Sequence, residues 1–213
     1  MRNFDFYEFV ALIVPGLCFC SFVVFIYHPE LMTSGSVQLA GLMLPLGYAV
    51  GHLLHGVGNV FERVSSLFSR QSSGACAVTL GCRDFPNNLK QKFSENLARY
   101  LDITDPNIPE KDRAKVFAQV IMFVGLHSPG GRVNVFNANY SLFRGLLSAC
   151  FACAALVLVS QNRLAANFSF WFLLIMLALI SFNRMRRFSS YYAREVLFVF
   201  CNMKIDSNGG SIK

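Results

Sequence analysis

Four stretches of this chain carry no charged residue over lengths that limit what it can become. The first runs from Phe9 to Pro29, between Glu8 and Glu30. The second runs from Leu31 to Phe61, its apolar part from Val37 to Val57. The third and fourth fill positions 145–162 and 164–183, bounded by Arg144, Arg163 and Arg184. A helix rises about 1.5 Å per residue, so roughly 20 residues cross a hydrocarbon core of about 30 Å. In lipid only helices or closed barrels satisfy every backbone group, and these runs are continuously apolar rather than alternating. The expected fold is therefore all-α: a polytopic membrane protein with four transmembrane helices and a small helical cytoplasmic region. One such run could be a buried helix of a soluble domain. Four in 213 residues would not find enough protein to cover them. Composition agrees, with 54% hydrophobic and 15% charged residues, where a soluble domain carries about 25% charged.

The basic residues set the expected orientation. Of 19 Lys and Arg, Arg163 alone falls in a loop on one side, between the third and fourth runs; the loop 28–36 has none. The rest lie in the leader, the long middle segment and the tail, which by the positive-inside rule face the cytoplasm. A net charge of +7 is accounted for in this way, and no direct nucleic-acid contact is expected. The leader MRNFDFYE carries two acids, and no small-x-small site closes the first run. That run therefore reads as a retained helix rather than a cleaved signal. Pro15-Gly16 inside it is expected to kink or locally unwind it.

The organisation that follows places transmembrane helices 1 and 2 in 1–58 and a cytoplasmic helical region in 59–143. Helices 3 and 4 take 144–184, and a cytoplasmic amphipathic tail takes 185–213. Within the middle region, Asn59 to Arg70 prolongs helix two, with Phe61, Val64 and Phe68 on one face. Gln71 to Pro86 reads as a loop with a short hairpin at AVTLGCR. Asn87 to Leu101 reads as a helix capped by Asn87 or Asn88. Pro109 and Glu110 open another that ends at Ser128-Pro129-Gly130-Gly131. The Asn-rich VNVFNANY reads as a lead-in to helix three. Helix four is expected to continue into the tail as FNRMRRFSSYYAREVLFVF, with Arg184, Arg186 and Arg187 placed to meet inner-leaflet phosphates or a partner.

Candidate site residues cluster in GYAVGHLLHGVG. Gly47 and Gly51, with Gly58 seven further on, give the small-residue spacing that lets helices approach closely. His52 and His55 lie one turn apart. A polar side chain in a span is costly and turns toward a bundle interior or a wet cavity, so the pair marks an inward or pore-lining face. No third ligand accompanies the histidines, and no metal or cofactor is expected. Cys150-x-x-Cys153 lies inside an apolar run and reads as small core residues, as do Cys18 and Cys20. Cys76 and Cys82 stand in the middle segment as thiols. Asp5 and Glu8 open helix one, where the dipole favours acids. Triads of Ser, His and Asp, phosphate-cradling loops, HExxH and paired intramembrane carboxylates are all missing from the sequence. That argues against proteases, carriers and pumps, and for a protein that is not an enzyme.

The opening FDFYEFVALIVPG, the GYAVGHLLH segment and the tail RRFSSYYAREVLFVF together resemble a loose set of bacterial four-helix inner-membrane proteins. Several of those are encoded beside anti-phage systems, and the membrane subunit of the Kiwa defence system is the nearest named example. The resemblance covers about a third of the chain and is topological, with no site residues to carry over. It implies a homo-oligomeric sensor at the inner membrane, with a tetramer as the working guess, paired with a cytoplasmic effector. The expectation is thus an oligomeric membrane sensor or scaffold that docks a cytoplasmic protein in antiviral defence. The alternative is a channel or pore that dissipates the gradient, lined by His52, His55 and the glycine face.

Overall fold

A computed structural model of the protein describes residues 6–33, 37–68, 87–104, 108–127, 131–160 and 163–203. Every regular element among them is helical. The elements are α1 (Phe6–Tyr27), α2 (Pro29–Thr33), α3 (Val37–Phe68), α4 (Asn87–Leu101), α5 (Glu110–His127), α6 (Arg132–Val159) and α7 (Phe168–Asn202), with a 3-10 turn at Arg163–Ala166.

Among the described residues, three stretches are long and apolar enough to cross a membrane: the Phe9–Tyr27 part of α1, α6 and α7. The second charge-free run falls in α3, which is 32 residues long and over its described side chains does not join them. Pro45, Tyr48, the two histidines and the glycines stand among its leucines and valines. The expected hairpin at AVTLGCR, and Asp5, lie outside the described residues. So does the side chain of Glu8.

Two expectations are corrected by the helix limits. The Asn-rich 133–140 stretch is not a lead-in, because α6 starts at Arg132 and runs through it. Asn is a weak helix former, but packing overrides propensity. Val133 packs on a buried core, and the Phe136 ring lies 5.8 Å from that of Tyr191. At Pro15, α1 stays helical, so the unwinding half of that expectation falls away. Proline removes one ladder bond, and here the ring is seated against a neighbour: a Cβ on Gly145 would come within 2.7 Å of Pro15 Cγ.

The chain divides into two compact units, 1–65 with 137–188, and 66–136 with 189–213. The first holds α1, most of α3 and α6, and the apolar part of α7. Its helices meet at rings: Phe22 on Phe170 at 5.8 Å, Phe61 on Phe151 at 4.5 Å and Phe143 on Phe188 at 5.7 Å. Asn167 caps α7, its side-chain oxygen accepting from the Ser169 and Phe170 N–H groups at 3.0 and 3.4 Å. In α2, the carboxylate of Glu30 is held below its ordinary range by its own backbone N–H and then by His28.

The second unit has its own core, from α4, α5 and the last turns of α7. Phe93, Leu97, Val120, Val124, Leu197 and Phe200 are buried together. Rings of Phe93, Tyr100 and Phe123 surround Phe200 at centroid distances from 5.6 to 6.5 Å, edge-on as ring quadrupoles prefer. Buried Asn96 donates to the Phe200 carbonyl at 2.7 Å and to that of Cys201 at 3.4 Å. These are among the last carbonyls of α7, which have no partner within the helix. Asp102, at φ 55°, ends α4 in the left-handed region, and Ile103 N–H reaches back to the Leu97 carbonyl. At the start of α6, Arg132 stands 3.8 Å from Glu195.

Candidate functional site

Gly47, Gly51 and Gly58 of α3 serve contacts within the chain. A Cβ on Gly16 of α1 would fall inside the Gly47 carbonyl, and one on Gly51 would fall inside the Leu12 carbonyl. One on Gly47 would stand 2.8 Å from the Leu17 side chain. Hydrogen alone lets the α1 and α3 backbones come this close, as in other small-residue helix pairs. Gly58 plays the same part against α6, where an added Cβ would meet Arg144 Cγ at 2.8 Å and Ser148 Oγ at 3.1 Å. The surface carrying Gly47 and Gly51 is therefore covered by α1 and is not open to a helix from another chain.

The two histidines part company. His55 is half-buried on α3, and its Nε2 accepts a hydrogen bond from Arg144 Nη2 of α6. His52 is exposed, with its ring edge-on to Tyr48 at 4.6 Å. Within the chain only His55 of the expected pair is turned inward. Positions three apart on a helix differ by about 60° around its axis, enough to turn one in and leave the other out.

Around His55 the structure assembles a polar node that spacing alone did not reveal. Arg144 lies over the Tyr140 ring at 5.2 Å, a cation–π contact. Ser148, fully buried, returns its hydroxyl to the Arg144 carbonyl at 3.1 Å. The aliphatic part of Arg144 crosses Gly58. An arginine beside a charge-free run reads from sequence as a headgroup anchor. Its partner His55 is 89 positions away, and no local pattern joins them. The neutral imidazole is the form that accepts here, so His55 carries its proton on Nδ1 in this contact.

Arg184, Arg186 and Arg187 are all exposed, with Arg186 standing 5.8 Å over the Phe182 ring. Among the described residues no three His, Cys, Asp or Glu side chains are grouped as a metal site would require.

The outward surfaces are apolar. On α3, Leu42, Leu46, Leu53 and Val60 are each more than half exposed, Leu53 to 71%. On α7, Phe168, Phe172, Leu173 and Ile175 are likewise. In the second unit α5 exposes Met122 and Leu126. Compared with known proteins, the chain matches no family model, no curated protein and no solved structure.

Proposed function

We propose that the chain is a non-enzymatic bacterial inner-membrane protein that crosses the bilayer four times, with both termini in the cytoplasm. It assembles as a homo-oligomer and acts as a sensor or scaffold that docks a cytoplasmic protein, in antiviral defence. The observation that carries the membrane part is the set of large apolar side chains on α3 and α7 that stand exposed. Soluble monomers rarely expose so much contiguous apolar surface, whereas lipid accepts it without penalty. Counting α3 as the fourth span is supported by its length and by these leucines, despite its lower apolarity. The basic residues on the loops and tail support the orientation. The defence role and the effector partner are supported by the resemblance of the three sequence stretches, and exposed Met122 and Leu126 on α5 supply a docking face. Expression in a bacterium with carbonate extraction tests the reading. The protein stays in the membrane pellet, and co-purification returns one soluble partner with the protein as a multiple of its chain mass. A protein that is soluble without detergent removes the proposal.

A second reading, a pore, has one observation in its favour. His52 is exposed among the leucines of α3, where lipid has nothing to offer an imidazole but the water of a multi-chain channel does. Flux from dye-loaded proteoliposomes decides it. Sustained release that His52→Leu reduces supports the pore, and tight vesicles under every trigger leave the scaffold.

A further inference from the structure

We propose that Arg184 and Arg187 on α7 form the headgroup site for one anionic phospholipid, whose acyl chain lies along Leu173, Leu177 and Ile180. This rests on the membrane reading above and sharpens it to a ligand. Successive residues of a helix are turned by about 100°. The five positions follow one another at spacings of four and three, so they share about 80° of arc. All five side chains are exposed. From Leu173 to Arg184 the helix rises about 16 Å, which is about half the thickness of the hydrocarbon core. One row therefore offers apolar surface to the depth of a single leaflet and ends in two guanidinium groups a turn apart. Arg186 is turned about 160° from Arg184 and stands over the Phe182 ring, so it lies outside the row.

The chemistry of the pair selects a phosphodiester. A guanidinium presents five N–H donors in a fixed fork that matches two phosphate oxygens. The site uses only the outward-facing donors of each arginine, so it is compatible with a further contact of Arg187 inside the chain. At the edge of the hydrocarbon the effective dielectric is below that of water, and the pairing gains strength. α7 has no Asp or Glu before Glu195, so the helix that carries the row brings no carboxylate to it. A zwitterionic headgroup adds an ammonium group that offsets its phosphate, so a headgroup of net negative charge is preferred. A carboxylate from elsewhere in the chain seated on the pair would exclude the lipid, and would show in the test as equal retention of anionic and zwitterionic lipid.

The experiment is native mass spectrometry of the full chain, released from micelles that hold equal amounts of phosphatidylglycerol and phosphatidylethanolamine. The wild type retains the first over the second by about tenfold, as charge-assisted hydrogen bonds allow. Arg184→Gln combined with Arg187→Gln brings the ratio close to one. Arg186→Gln, which also removes an arginine charge, leaves it within about twofold of the wild type, because a charge across the helix is screened. Glycerophosphoglycerol, the same headgroup without chains, does not displace the lipid. Equal retention by the wild type, a ratio unchanged in the double variant, or a ratio lost in Arg186→Gln each overturns the site. Displacement by the chainless headgroup overturns the part given to Leu173, Leu177 and Ile180. A protein that stays in the membrane pellet and shows no lipid preference loses the site alone. One that is soluble without detergent loses the site together with the membrane reading.

Discussion

At the scale of single residues, the glycines of α3 separate into two kinds. Gly51 has a backbone carbonyl where a Cβ would go, whereas Gly41 and Gly56 have open space. Gly51→Ala is expected to lower stability by about 1–3 kcal/mol, because helices must shift to admit the methyl group. Gly56→Ala is expected to gain about 0.5–1 kcal/mol by restricting the unfolded chain. Melting both variants in detergent checks the contrast, and equal effects would mean that the two faces do not differ. Asn96 is the other sensitive position. Removing its amide in Asn96→Ala takes the side-chain donor from the Phe200 and Cys201 carbonyls in a buried place, leaving Phe200 only the longer bond from the Met203 N–H, at about 1–3 kcal/mol. Cys201 is buried and its thiol donates to the Leu89 carbonyl at 3.6 Å. Alkylation of Cys201 should therefore be faster in Asn96→Ala than in the wild type, as read by peptide mass.

At the scale of elements, the two kinds of outward helix make different demands on the bilayer. The apolar part of α7 is uninterrupted from Trp171 to Ile180. α3 carries Pro45, Tyr48, His52, His55 and five glycines counting Gly41, and needs its neighbours. In an insertion assay of isolated segments, residues 168–186 are expected to insert well and residues 37–57 poorly, with insertion of the latter recovering when α1 precedes it. Leu177→Arg is expected to cost about 2.5–3.5 kcal/mol of insertion free energy, as a charge near the helix centre does. The elements themselves were largely legible. The limits of α4 and α5 follow from Asn87, Pro109-Glu110 and the Ser-Pro-Gly-Gly stop, because caps and breakers are local chemistry. Continuity of α3 to Phe68 follows from its apolar stripe. The start of α6 was not legible, since Asn134, Asn137 and Asn139 argue against a helix locally, and the Val133, Phe136 and Arg132 contacts that hold it reach distant residues. The candidate site was half legible. A periodic pattern finds Gly47, Gly51 and the histidines, but which helix covers which face depends on contacts between distant segments, so Arg144, Tyr140 and Ser148 stayed hidden.

At the scale of the whole molecule, the placement of basic residues is a testable electrostatic statement. A reporter fused after Lys213 is expected to be active only in the cytoplasm. Adding three lysines beside Arg163 should weaken that preference, as read by reporter activity on the two sides, because the bias between loops sets orientation. An unmoved reporter would mean that the first helix alone decides it.

The second unit is assembled from two separated pieces, 66–136 and 189–213, and its core closes on Val196, Leu197 and Phe200. Those side chains are made only after α6 and most of α7. The earlier piece must therefore wait, its apolar faces unsatisfied, while two long helices are synthesised. A chain interrupted after Phe188 would leave that piece permanently without its keystone. Quality-control proteases would recognise such a fragment, so this arrangement ties the survival of 66–136 to completion of α7.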